Sequence, residues 1–453
     1  MSVEATRPAG DRGAVGAATA DGERHAPAYV WCFLATIVFN IFSGHWDRLG
    51  VPLGLDRIAF AGGVVLLLLD PWAWQQRRLL LRPVHLAVAG LVAVATLSAA
   101  SVGTLTSSYG LFALLDRIVV PFVVFCVAPV VFSTAARRAL LLKTLVLLGL
   151  YLGVTAVLET LRLWSLVFPS YIGDSSVGIQ FGRARGPFAA SEAMGMACAA
   201  CFFAAGLAVV RFRGAWRALS ALVVALAGGG VLMSLTRSVW VGLVLGVLVV
   251  MVVDRRLRRF IPGALLAGAV LVVVLFATVP GLRSAVDERA GTTRSVLDRY
   301  NTNAAALRIV EHEPLTGVGW MKFLDESPQW VRQADDYPIT NVAIEVHNVV
   351  LSRAAELGLP GAALFVACVL LGPWRAAVQR RFDDPELLEW RHVSTGMTAV
   401  WSVTLMLSPV PYPLPNTLTW LLAGIALTPY LSEGAGHERR RGSTAGRRGP
   451  AGA

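Results

Sequence analysis

The sequence has little charge. Asp, Glu, Lys and Arg make up only 15% of it, where a soluble chain carries roughly a quarter. Lysine is scarcer still, with Lys143 and Lys322 the only ones among 40 basic residues. This deficit excludes a soluble multidomain enzyme, because most of the surface cannot face water. A disordered chain is excluded as well, since 55% of the residues are hydrophobic. Cysteine is sparse, and Cys32, Cys126, Cys198, Cys201 and Cys368 all lie in apolar runs. The Cys198-x-x-Cys201 spacing is formally that of a redox or zinc motif. Its setting, Met-Ala-Cys-Ala-Ala-Cys-Phe-Phe, suits small packing residues instead, so no disulfide or metal is assigned to it. A Walker motif, clustered metal ligands and an internal repeat are all missing. Residues 1–27 lack the apolar stretch of a cleavable signal peptide and are expected to form a disordered tail.

What is present is apolar length. A helix needs about 20 apolar residues to cross the hydrocarbon core, and open sheet edges cannot lie in lipid. Apolar runs at 28–43, 57–73, 84–100, 111–132, 139–161, 190–210, 216–235, 238–253, 260–280, 348–372, 393–410 and 414–431 therefore predict an all-α polytopic membrane protein of about 12 spans. The net charge is +11, and the arginines alternate. Connections after even-numbered spans carry Arg77, Arg78 and Arg82; Arg137 and Arg138; Arg211, Arg213 and Arg217; Arg255, Arg256, Arg258 and Arg259; and Arg375, Arg380, Arg381 and Arg391. The short connections after spans three and eleven carry no base. This positive-inside pattern predicts that both tails are cytoplasmic, the second (433–453) holding Arg439, Arg440, Arg441, Arg447 and Arg448. A transmembrane domain then covers 28–432, with outward segments at 163–189 and 281–347. The larger one is predicted to hold a helix over 295–313 followed by a turn at 314–319.

Some arginines fall on the outward side, where the rule predicts none. They are Arg183, Arg185, Arg237, Arg283, Arg289, Arg294, Arg299, Arg308 and Arg332. Arg237 has only Thr236 and Ser238 beside it before apolar residues resume, and an intramembrane arginine costs at least ~2.5 kcal/mol. Either it snorkels to the interface, or it helps form an outward anion site, since guanidinium grips phosphate with paired hydrogen bonds. His347 stands at the outer mouth of span ten. Its neutral imidazole could take a hydroxyl proton as general base, or it could be an interfacial histidine. Asn348 could cap the helix or hold a ligand hydroxyl. Glu356, further along the span, needs a partner such as Arg353.

The segment His347-Asn348-x-x-Leu351-x-x-x-x-Glu356-x-Gly358-x-x-Gly361 resembles the closing signature of the O-antigen ligase and polymerase superfamily. Leu235-Thr236-Arg237-Ser238 looks like that family's outer Ser-Arg turn, and Arg185-Gly186-Pro187-Phe188 like its Gly-Phe element. Arg299, Ala305-Ala306-Leu307 and Pro314-Leu-Thr-Gly317-Val-Gly319 match its large outer loop. Thr236, Ser238 and Asn303 depart from the serine, glycine and aromatic usual there. The resemblance implies a GT-C-related fold that transfers a glycan from undecaprenyl diphosphate to a hydroxyl of a glycan or lipid acceptor, with inversion and without nucleotide, metal or other cofactor. It implies His347 as base, with Arg237 and Arg299 on the diphosphate. Arg185 and Arg308 are secondary candidates, and Asn348 and Glu356 would shape the site. Membrane lipids and other polysaccharide-assembly proteins are the expected partners, in the plasma membrane, with no nucleic acid.

Ligase and polymerase differ in acceptor, and the residues do not separate them. A 12-span transporter or flippase is a different class of reading. Transporters usually carry repeated halves and broken helices meeting at the midplane, whereas the ionisable residues here gather at the outer face. A third reading, a metal-assisted transferase using Asp47 of His45-Trp46-Asp47, competes with a surface pair between Asp47 and Arg48.

Overall fold

The structure is a computed structural model describing residues 26–254, 256–278, 294–332, 344–379, 384–409 and 412–434. Most of both tails, and with them Arg439 to Arg448, lie outside the described residues, as do Arg255, Arg283, Arg289, Arg380 and Arg381 and the side chain of Arg294. Every predicted apolar run falls on a helix. In order these are α1 (Ala28–Phe39), α2 (Leu55–Leu68), α3 (Pro83–Ser101), α4 (Ser108–Val131), α5 (Ala135–Thr160), α6 (Ser191–Arg211), α7 (Gly214–Met233), α8 (Arg237–Val253) and α9 (Ile261–Thr278). The large loop contributes α10 (Arg294–His312) and α11 (Phe323–Trp330). The chain then returns through α12 (Val349–Val369), α13 (Pro385–Leu407) and α14 (Pro413–Ala426). Among the described residues, six helices are long and apolar enough to cross a membrane: α3, α4, α5, α6, α7 and α12 with its extension to Val378.

Local chemistry sets the helix starts. Thr134 caps α5 by accepting from the Arg137 amide, Asp384 caps α13 through the Glu386 amide, and Asn348 caps α12 through the Leu351 amide. Pro83, Pro385 and Pro413 occupy first turns, where a missing N–H costs nothing. The helices pack as neighbours in a single apolar core, α6 on α7, α5 on both, α8 on α13, α4 on α14 and α3 on α12. Cys198 and Cys201 are buried packing residues facing Gly230 and Gly149. The apolar runs are helical as expected; a minimal antiparallel ladder pairs Arg77–Leu79 with Ser432–Gly434 in the connections beyond the helix ends, where the ban on open edges in lipid does not reach.

The even-numbered connections gather at one end, which we call the arginine-rich end. Arg138 forks onto Glu386 at 2.9 and 2.7 Å and reaches Asp384 at 3.2 Å. Arg211 pairs with Glu386 at 2.5 Å and Glu389 at 2.6 Å. Arg82 donates to the Tyr430 carbonyl, and His392 faces Asp254 at 3.5 Å. The odd-numbered connections meet at the opposite end. There the Trp320 amide donates to Ser98, the Ala184 amide to the Met233 carbonyl, and the His45 ring lies 5.1 Å from that of Tyr171.

Two segments at this opposite end are locked together through their backbones. Helix α12 is broken at Gly358 (φ 70, ψ 178), a conformation open essentially only to glycine. The 314–319 turn lies in the break. The Val318 and Gly319 amides donate to the Ala355 and Glu356 carbonyls at 2.9 and 3.0 Å, and the Leu359 amide donates to the Pro314 carbonyl at 2.7 Å. A Cβ at Gly358 would collide with the Leu315 carbonyl, and one at Gly317 with that of Ala355. The signature glycines are thus a steric requirement of this docking.

Candidate functional site

At the end away from the arginine-rich connections, α10 packs on α12, and the starts of α6 and α8 meet through Glu192 and Ser238. Leu235, in the left-handed region at φ 50, turns the chain so that Arg237 becomes the first residue of α8. Arg237 is exposed and makes no hydrogen bond or ion pair among the described residues. Arg299 comes from the middle of α10. It is half-buried, and its Nε is buried without a hydrogen-bond partner. Burial pulls the pKa of Arg299 down, the charge of Glu192 opposes this, and Arg237 adds to it, so the three groups feel one another.

His347 directly precedes the Asn348 cap of α12. Its Nδ1 lies 2.9 Å from the Glu345 carbonyl. A carbonyl oxygen can only accept, so Nδ1 carries the proton and Nε2 keeps a lone pair for a hydroxyl. Burial, reinforced by the Arg299 charge, lowers the His347 pKa from 6.5 to about 4; the Glu345 hydrogen bond and Asp298 pull the other way. The imidazole is therefore a neutral acceptor at physiological pH.

The remaining residues singled out from the sequence are spent within the protein. Arg185 is fully buried, and its Nη2 donates to the Ile172 and Asp174 carbonyls at 3.1 and 2.5 Å. Glu159 accepts from the Arg185 and Gly186 amides, which fixes the same loop. Arg308 donates to the Trp330 carbonyl at 2.7 Å and so ties α10 to α11. The Asn348 side chain is the α12 cap, 3.1 Å from the Leu351 amide. Glu356 is buried and pairs with Arg353 at 2.8 Å, as its sequence neighbourhood suggested, and the Arg353 guanidinium stacks 4.6 Å over Trp320. The site thus divides in two. His347, Arg237 and Arg299 present unspent polar groups, while Arg308, Asn348 and Glu356 hold the surrounding backbone; Arg185 does both, because its Nη2 is bonded to carbonyls and its Nη1 is buried without a partner.

Sequence reasoning missed several contributors. Glu192, in the first turn of α6, accepts from Ser238 at 2.9 Å, from Tyr412 at 3.3 Å and from Ser408. Arg117 lies in a π-helical stretch of α4, Leu115–Val119, a distortion that often marks function. Its Nη2 is 3.7 Å from Glu345, the residue whose carbonyl orients His347. Asp116 beside it accepts a fork from Arg57 at 3.3 and 2.6 Å. A signal for these groups was available, because a charge inside an apolar run marks a site by default. Asp47 is exposed and lies 3.8 Å from Arg48, a surface pair. Among the described residues, no group of three or more His, Cys, Asp or Glu side chains is placed to hold a metal.

Residues 221–366 match the family model described as O-antigen ligase. That stretch runs from within α7 to within α12 and contains Arg237, Arg299, Arg308, His347, Asn348 and Glu356. No match to a curated protein was found. The match covers a segment similar to O-antigen ligases, in line with the resemblance read from the sequence. Together with its apolar helices, this similarity fits a multi-pass membrane protein.

Proposed function

We propose that the protein is a membrane glycosyltransferase that moves a glycan from undecaprenyl diphosphate to an acceptor hydroxyl at the outer face of the plasma membrane. In this reading about twelve helices span the bilayer in a GT-C-related fold. The arginine-rich end and both termini are cytoplasmic, and the end holding His347 and the 281–347 loop faces out. His347 Nε2 takes the acceptor proton as its oxygen attacks the anomeric carbon. The bond from that carbon to the diphosphate breaks with inversion, and Arg237 and Arg299 stabilise the charge that develops on the departing phosphate. The donor is already activated, so positioning, one base and two cations suffice without a metal. Arg185, Arg308, Asn348 and Glu356 shape the site from behind.

The observation that carries this reading is the juxtaposition of a neutral imidazole acceptor with Arg299, whose Nε is buried and unpartnered, beside the exposed Arg237. The arrangement also explains a base of low pKa. An arriving diphosphate offsets the arginine field, so His347 becomes a stronger base once the donor is seated. Ligase and polymerase share this chemistry. The test is reconstitution with an undecaprenyl-diphosphate-linked glycan and an acceptor. His347→Ala and Arg237→Ala proteins that insert normally lose transfer, and activity persists in chelator. Full transfer by either variant overturns the assignment.

A further inference from the structure

Glu192 is a buried carboxylate that the proposed mechanism leaves unused. Its Oε1 accepts from Ser238 at 2.9 Å and from Ser408, and its Oε2 from Tyr412 at 3.3 Å. These hydroxyls come from the start of α8 and from either side of the link between α13 and α14. Ser238 directly follows Arg237, and Glu192 also faces Arg299 electrostatically. No ion pair closes between Glu192 and Arg299 among the described residues, and the Arg299 Nε stays without a partner. Neutral hydroxyls therefore satisfy the carboxylate and hold it short of the guanidinium. Glu192 is thus the carboxylate that acts on Arg299, which also feels Arg237, among the described residues.

That balance bears on how the leaving group departs. When the anomeric C–O bond breaks, its electron pair stays on the terminal phosphate oxygen and the acceptor proton goes to His347. A diphosphate diester becomes a monoester with one more negative charge. The arginines therefore hold the product more strongly than the substrate, which favours the transition state but slows release. We propose that Glu192 is the resident counter-anion of this arginine pair, a positioning residue that offers Arg299 an alternative partner and so sets how fast the lipid diphosphate leaves. The inference rests on the diphosphate reading given above.

The experiment measures binding of undecaprenyl diphosphate to the purified protein in nanodiscs, alongside steady-state and single-turnover transfer. Glu192→Gln keeps the shape and removes the charge; its amide oxygen still accepts from Ser238 and Ser408, while its NH2 donates to Tyr412 instead of accepting from it. It binds the lipid about tenfold more tightly, the effect of ~1.4 kcal/mol, and loses steady-state rate while single-turnover transfer is retained. Tyr412→Phe moves the other way, because a loosened carboxylate closes on Arg299 and weakens binding several-fold. A Glu192→Gln protein that binds no more tightly than wild type, while Arg299→Ala still abolishes binding, overturns the inference and leaves the diphosphate reading intact. Wild type and Arg299→Ala binding the lipid equally would sink that reading itself, and the inference with it. Should Glu192→Gln fail to fold, unchanged affinity in Tyr412→Phe is the overturning result.

Discussion

Replacing Arg299 with glutamine removes the charge facing His347 while keeping a polar side chain of similar reach. In the wild-type protein the imidazole falls from 6.5 to about 4, through burial first and the Arg299 charge second. The gap amounts to about 3 kcal/mol of preference for the neutral ring. Unit charges within about 10 Å, at an effective dielectric near 20, interact by about 2 kcal/mol. Arg299→Gln should therefore raise the His347 pKa by about one pH unit and leave it below 6.5, because burial remains. Histidine-labelled protein reports this directly by nitrogen NMR, with His347→Asn identifying the signal among seven histidines. The sign is fixed: the folded state resists protonation here. The stabilising preference is complete above pH 6.5 and is lost as the pH falls from there through about 4. Wild-type kcat/KM for the donor is accordingly flat from neutral pH to about 5 and declines below. A wild-type His347 titrating near 6.5, or one that does not move in Arg299→Gln, refutes the reasoning.

Three further predictions concern the frame. Glu356→Leu alone strands the buried Arg353 charge and costs about 3–5 kcal/mol in thermal unfolding, whereas the double variant with Arg353→Leu recovers most of it; equal losses in the two would refute a pairing role. Gly358→Ala forces a Cβ into a glycine-only conformation and against the Leu315 carbonyl, and should cost about 3 kcal/mol or more; Gly229→Ala, where a Cβ meets nothing, is the neutral control. Arg117→Met frees the Glu345 side chain and lets His347 drift, so kcat falls about tenfold with donor KM unchanged; a rise in KM with kcat intact would show that Arg117 binds substrate instead.

Apolar length was legible because it is a local property, and each run in the sequence became a helix. The docking of 314–319 was legible only as punctuation. Its glycines announced a turn, but the partner surface is created by the break at Gly358, on a helix that hydropathy reads as continuous. Arg237 stood out by its placement, His347 by its position at the mouth of a span, and Arg299 through the family resemblance. Glu192 did not, since one acidic residue beginning an apolar run looks like ordinary helix-start chemistry. Its meaning comes from Ser238, Ser408 and Tyr412, which the fold brings from distant segments. Asp116 and Arg117 carried a signal, as charges inside an apolar run, but not their roles, because their partners, Arg57 and Glu345, lie on other helices and loops. Arg185 and Arg308 illustrate the converse. They carry the right chemistry for an anion, yet Arg308 Nη1 and Arg185 Nη2 are turned to backbone carbonyls, which leaves Arg185 Nη1 buried without a partner.

The cluster joining Arg138 and Arg211 to Asp384, Glu386 and Glu389 also has an order in time. Arg138 lies near the start of α5 and Arg211 at the end of α6, while their acidic partners arrive 246 to 248 and 175 to 178 residues later in the chain. During synthesis the arginines emerge uncompensated, so under the proposed positive-inside orientation they would act at full strength as topological signals for the early helices. Once residues 384–389 are made, the same charges become an internal clasp binding α5 and α6 to α13. Removing the late acids should therefore leave the orientation of the early helices unchanged and loosen only the finished bundle.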